Sequence, residues 1–266
     1  KKTKKPIYIV LIMLVLVSFL FLKSGIIEDY AAEEIVKSAN KFKTQNEKLE
    51  YEILKIRTGV IKHYNGVDLY VANLFALSES LINRVKNINN TRLYILTETI
   101  TKEFLKIEIE VNRLKSGNGV LRNSLMYFSA KIEEKSKKHK QLDERNSHEQ
   151  MAELYELTSI SNLILRVIRD TKESVFNDAN EYIRLKKENA KLTLLMQHAE
   201  IIVDASRIVN ESVVKIVESS IIDKIDKLVE IVSAEKREKE KNQKIFRILL
   251  FLFSILMTMY VGYMIY

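Results

Sequence analysis

Five polar residues stand on or beside apolar stripes, where a solvated surface would not place them. Arg57 lies four after Ile53 and four before Ile61, on the flank of such a stripe. Tyr64 belongs to the turn-prone His63-Tyr64-Asn65-Gly66. Asn118 takes a stripe position between Gly117 and Gly119, and Arg122 and Asn123 follow one turn later. A charged or amide group there must reach solvent, find a partner or meet a ligand, because leaving it buried and unsatisfied costs about 1–3 kcal/mol. Two guanidiniums beside Tyr64, Asn118 and Asn123 would suit an anionic ligand, a carboxylate or phosphate. A pocket lined by Arg57, Tyr64, Asn118, Arg122 and Asn123 requires a fold that brings the first and third helices together. The structural alternative is that Asn118 fixes register while Arg122 caps or pairs on the surface.

Other chemistry is thin. With no Cys, the chain has no thiolate metal site, disulfide or cysteine nucleophile. Four His in 266 residues make a histidine metal site or triad improbable. His148-Glu149 does not open a zincin motif, since position 152 is Ala. There is no phosphate loop, nucleophile elbow or paired-carboxylate spacing. We therefore expect no enzyme active site, metal or cofactor in these residues. The net charge of +8 is unevenly placed, with Lys1, Lys2, Lys4 and Lys5 at one end and both signs mixed in the interior. Nucleic acid is not the expected partner.

The elements that would position these residues are helices. Six Gly and one Pro in 266 residues leave few tight turns, which argues against a β sandwich or an α/β barrel. Apolar residues recur at three and four, not at two. The clearest run is Ile100, Phe104, Ile107, Val111, Leu114, Leu121, Leu125, Phe128 and Ile132, interrupted only by Asn118. An earlier run reads Phe42, Leu49, Ile53, Ile56, Val60, and a late one Val214, Val217, Ile221, Ile225, Leu228, Val232. The late run predicts a continuous helix from Ser206 to Asn242, rising about 55 Å. Breaks are expected at His63–Gly66, at Asn87–Asn90 with Thr91 as N-cap, across Ser136–Ser147, at Asp170-Thr171 and at Asp204. Ser147-x-x-Gln150 reads as a capping box. The expected fold is all-α: a long antiparallel helical-bundle rod of about six helices, as two stacked bundle modules flanked by two transmembrane helices.

Both ends read as membrane segments. Ile7 to Leu22 is uncharged and rises about 24 Å, with Pro6 and snorkelling Lys5 and Lys23 extending it toward the bilayer thickness. The exit Phe21-Leu22-Lys23-Ser24-Gly25 lacks a signal-peptidase pattern, so an anchor is expected over a cleaved signal. Ile248 to Tyr266 is uncharged over about 28 Å and ends in Tyr260, Tyr263 and Tyr266, an interfacial belt. The N-terminal lysines put residues 1–6 in the cytoplasm and the helical domain, 23–245, on the far side of the membrane. Within it, approximately 23–136 and 148–245 form two parts, and 246–266 is the second span. Lys236, Arg237, Lys239, Lys241, Lys244 and Arg247 oppose this orientation, but the charge rule weakens for long translocated segments. A cytoplasmic output is expected to follow the second span.

The polar residues also carry a resemblance. Ile53-Leu54-Lys55-Ile56-Arg57-Thr58-Gly59-Val60-Ile61-Lys62-His63-Tyr64-Asn65 resembles the first signature of the double all-helical ligand-binding (DAHL) sensor domains, roughly V-L-x-x-R-x-G-x-x-x-N-Y-D. Lys115-Ser116-Gly117-Asn118-Gly119-Val120-Leu121-Arg122-Asn123-Ser124-Leu125-Met126-Tyr127-Phe128 resembles the second, roughly K-S-x-N-A-x-L-R-N-S-L-x-Y-F. Gln197-His198-Ala199 with Ile202 is similar to a third, weaker one. Departures are His63 for Asn, Asn65 for Asp and Gly119 for Ala. The resemblance implies a sensory input domain between two spans, ahead of a histidine kinase or diguanylate cyclase. It implies a homodimer that takes a small molecule or docks a periplasmic binding protein. From the seams alone, a membrane-tethered helical scaffold or adhesion rod, or a cytoplasmic-facing hairpin regulator, stays open.

Overall fold

The scarcity of Gly and Pro decides the fold. In the computed structural model the described residues are 4–23, 30–58, 63–86, 88, 90–141, 147–187 and 192–265. Among them are eight α-helices and no strand: α1 Lys4–Lys23, α2 Tyr30–Arg57, α3 Asn65–Lys86, α4 Thr91–Gln141, α5 Ser147–Arg169, α6 Glu173–Lys186, α7 Thr193–Val217 and α8 Ile221–Ile265. The all-α expectation holds, with seven helices after α1 where the sequence suggested about six.

The breaks fall where local hydrogen bonding replaces the helix ladder. Thr58 closes α2, donating its N–H to the Leu54 carbonyl at 3.0 Å. The N-cap of α4 is Asn90, not Thr91: Asn90 Oδ1 accepts the N–H of Arg92 at 2.9 Å and of Leu93 at 3.1 Å. The helix then runs 51 residues to Gln141, so the polar stretch from Ser136 is still helical where described. Residues 142–146 and the side chains of the Ser147–Gln150 capping box lie outside the described residues, as do Val60, Asn87 and Asn89. Asp170 ends α5, its Oδ1 accepting the Lys172 N–H at 3.0 Å. Asp204 breaks nothing; it sits on the exposed face of α7, where solvent satisfies its carboxylate.

The expected helix from Ser206 to Asn242 is two helices. Glu218 ends α7, its N–H donating to the Val214 carbonyl at 2.8 Å, and α8 restarts at Ile221. The interruption shifts the register. Val214 and Val217 are exposed, while Val213 and Ile216 are buried, as are Ile221, Ile225, Leu228 and Val232 after the break.

The chain forms two compact units that interleave along the sequence: unit 1 is Lys1–Lys43, Ala76–Ile100 and Ile222–Tyr266, and unit 2 is Thr44–Phe75 and Thr101–Ile221. In unit 1, Ile35, Phe42, Leu81, Leu93, Ile225 and Leu228 are buried. Lys43 pairs with Asp226 at 2.7 Å, and Asn90 Nδ2 donates to Glu235 at 2.6 Å. In unit 2 a core of α4, α5, α6 and α7 gathers Leu121, Phe128, Ile160, Phe176, Met196 and Val203. The three-four spacing in the second half of α2 is matched by the burial of Leu49, Ile53 and Ile56. Each such fully buried side chain stabilises its unit by about 1.5–3 kcal/mol.

Two apolar helical stretches remain uncovered. Among the described residues one stretch, ending at Tyr263 in α8, is long and apolar enough to cross a membrane, and none of its apolar window is buried. The apolar part of α1, Leu11–Leu22, is shorter.

Candidate ligand-binding site

The two polar segments meet at Tyr64. Its carbonyl accepts the Asp68 N–H at 2.9 Å, which starts α3 and fixes the ring beside α4. Asn118 Nδ2 donates to Tyr64 Oη at 3.0 Å, and Tyr64 Oη–H donates to the Lys115 carbonyl at 3.4 Å. The Lys115 ammonium pairs with Asp68 and stands 6.0 Å from the centre of the Tyr64 ring. Asn118 is buried, so this bond supplies what its amide needs in the seam of α4. Gly117 makes room for the neighbouring α7: a Cβ there would lie 2.9 Å from Ile208 Cγ2 and 3.4 Å from Val209 Cγ2. Gly119 faces open space.

The other three candidates lie elsewhere. Arg122 and Asn123 are exposed on α4, one turn beyond Asn118. Arg57, in the last turn of α2, lines a cavity of about 540 Å³ with Asn162, Leu165, Arg166, Arg169 and Thr171. Neither Tyr64 nor Asn118 lines it. The structure thus joins Tyr64 to Asn118 and gives Arg57 two arginine neighbours that sequence reasoning missed.

The family model described as the DAHL domain matches residues 29–247. The chain belongs to the DAHL family. DAHL domains are sensory, ligand-binding domains of bacterial membrane receptors, and the match runs from just before α2 to Arg247, where the uncharged part of α8 is about to begin. No curated protein and no solved structure matches the chain.

Further features of this DAHL domain were not legible in the sequence. Glu110 of α4 ties α7 to itself, accepting from Ser212 Oγ and from Lys215 Nζ, each at 2.9 Å. Burial pushes its pKa up, but the bonds from Lys215 and Ser212 and the charge of Arg113 outweigh that and hold it below the ordinary carboxylate value. Glu50 of α2 goes the other way, because burial outweighs the 2.5 Å hydrogen bond from Asn46 and raises its pKa. Tyr127 stacks on His198 with ring centroids 3.9 Å apart, which places the third DAHL signature against the second. His198 Nδ1, Ser206 Oγ and Arg207 Nε are buried with no hydrogen-bond partner among the described residues.

Proposed function

We propose that this DAHL domain is the extracytoplasmic input of a two-span bacterial receptor in the inner membrane. In this reading α1 and the end of α8 are the spans, the N-terminus is cytoplasmic, and the output is a histidine kinase or diguanylate cyclase carried beyond the second span. The working unit is a homodimer, since paired outputs need paired inputs. The stimulus is a small, anionic molecule or a periplasmic binding protein. The ligand-contact set is Arg57, Tyr64, Asn118, Arg122 and Asn123. Tyr64 and Asn118 hold α3 to α4, and Arg57, Arg122 and Asn123 present polar groups at the surface.

The observation that carries this reading is the continuity of α8. Its 45 residues run as one helix, with Ile225, Leu228 and Val232 buried in unit 1 and Ile248, Phe251, Leu252 and Leu256 exposed. A helix of that length rises about 67 Å. A ligand that binds two helix arrangements unequally shifts their populations. A displacement of about 1–2 Å at Leu228 then reaches the apolar end without a joint to absorb it.

The test fuses the chain after Tyr266 to a cytoplasmic kinase and reads basal output. One residue inserted among Lys239–Lys241 turns everything beyond by about 100° and should switch that output. Seven residues restore the phase and should restore the output. Output indifferent to phase would sink the transmitter role of α8. Placement is read separately: with no Cys in the chain, Met126→Cys gives a single label site, 73% exposed. A membrane-impermeant maleimide should label it in intact spheroplasts, and protection until lysis would reverse the orientation.

A further inference from the structure

We infer that the cavity at the C-terminal ends of α2 and α5 is a binding site for a small polyanion, gripped by Arg57, Arg166 and Arg169. The inference deepens the sensory reading and rests on it for biological meaning, while its geometry stands alone.

Arginine in the last turn of a helix has an ordinary explanation, since a cation there complements the macrodipole. That accounts for Arg57 at the end of α2 and for Arg166 and Arg169 at the end of α5 taken singly. It does not account for two helix ends delivering three guanidiniums to one cavity of about 540 Å³. The lining holds one carboxylate, Asp170, and its Oδ1 already accepts the Lys172 N–H. Arg166 stands 4.0 Å from Asp178, at the limit of an ion pair, with both side chains largely solvated. Arg57 and Arg169 have no ion-pair or hydrogen-bond partner among the described residues. Three guanidiniums against one carboxylate leave the lining with an excess of positive charge, only part of which the two helix C-termini and Asp178 offset.

The chemistry names the ligand class. Each guanidinium offers a planar fork that matches a carboxylate or phosphate through two parallel hydrogen bonds. Three forks exceed what one monocarboxylate can accept, so the fitting ligand carries at least two such groups. Asn162 and Thr171 add neutral hydrogen-bonding groups, and Leu165, 49% exposed, supplies an apolar wall. The depression is open and its arginines are exposed, so the ligand is held at the surface and not enclosed.

The test is calorimetric titration of the full chain in detergent with citrate and with pyrophosphate, against acetate and sodium chloride at equal ionic strength. We expect saturable binding of at least one polyanion, at least tenfold tighter than acetate. Arg57→Gln and Arg169→Gln should each weaken it at least tenfold. Arg184→Gln, at the last turn of α6 and outside the cavity, should leave it unchanged. Should a Gln variant fail to fold, Arg57→Lys keeps the charge, removes the fork, and should still weaken binding at an unchanged melting temperature. Equal affinity in the cavity variants, or no preference over acetate, overturns the site. Helical-phase dependence in the kinase fusion without polyanion binding would remove this cavity and leave the sensory reading standing. Binding without phase dependence would do the reverse.

Discussion

Asn118 and Tyr64 lie 54 residues apart in the chain, and the amide of one donates to the phenol of the other at 3.0 Å. An asparagine in an apolar seam is tolerated only where its amide is satisfied, and a two-way register device results. Asn118→Ala should cost roughly 1–2 kcal/mol of stability in urea melts, and Tyr64→Phe about half as much. A double-mutant cycle should give a coupling of about 0.5–1.5 kcal/mol. Strict additivity would mean the bond contributes nothing.

The two glycines flanking Asn118 should respond oppositely to alanine. Gly119→Ala meets open space and should gain up to about 1 kcal/mol of helix propensity. Gly117→Ala drives a methyl against the β-branched Ile208 and should lose about 1–2 kcal/mol after that propensity gain is offset. Thermal melts of the two variants decide it, and Ile208→Ala should rescue the second. Equal shifts would deny the close approach of α4 and α7.

Acid should weaken the Glu110 tie. Its folded pKa is below the ordinary 4.5, so the stability it contributes is fully present above about pH 4.5 and is lost as pH falls through the lower folded value. Glu50 has the opposite sign. Its folded pKa is raised, so its ionisation costs stability as pH climbs past 4.5 through the higher folded value. Glu110→Gln should flatten the acid limb of a stability-versus-pH curve. Glu50→Gln should raise stability at pH 7 and leave it unchanged at pH 3.

Asn90 has two duties that one substitution separates. Asn90→Ala removes the cap of α4 and the bond to Glu235, at a cost of about 1–2 kcal/mol. Asn90→Asp keeps the cap but sets a carboxylate beside Glu235. Its melting temperature should therefore recover toward wild type as pH drops from 7 to 4. A pH-independent deficit would show that the pairing with Glu235 is immaterial.

Much of this was written in the spacing. The run from Ile100 to Phe128 is buried along α4, save a half-buried Leu125, with Asn118 in its place, because a 3-4 rhythm on an unbroken helix can face only one way. The rhythm misled at Val214 and Val217, where Val213 and Ile216 are buried instead, because Glu218-Ser219-Ser220 breaks the chain with neither Gly nor Pro and resets the register ahead of the correctly read Ile221, Ile225, Leu228 and Val232. Asp204 misled for the converse reason, since an acid on a solvated helix face breaks nothing. Of the candidate site, the seam argument set Tyr64 and Asn118 in one expected pocket, and their hydrogen bond is what the structure adds. Arg166 and Arg169 were not, because an arginine closing a helix looks the same whether it faces solvent or another helix end. Only tertiary folding puts them beside Arg57.

The interleaving of the two units sets an order of events during synthesis. Unit 2 is complete once Ile221 has emerged, whereas unit 1 needs residues from Ile222 onward to join a first segment that ended at Lys43. At bacterial and eukaryotic elongation rates that first segment waits on the order of ten to forty seconds for its last partner. Its apolar stripe, Ile35 to Phe42, has only the middle segment, Ala76–Ile100, to pack against until then. The nascent chain thus carries an unfinished unit 1 past a completed unit 2, and α8 is the helix that completes unit 1.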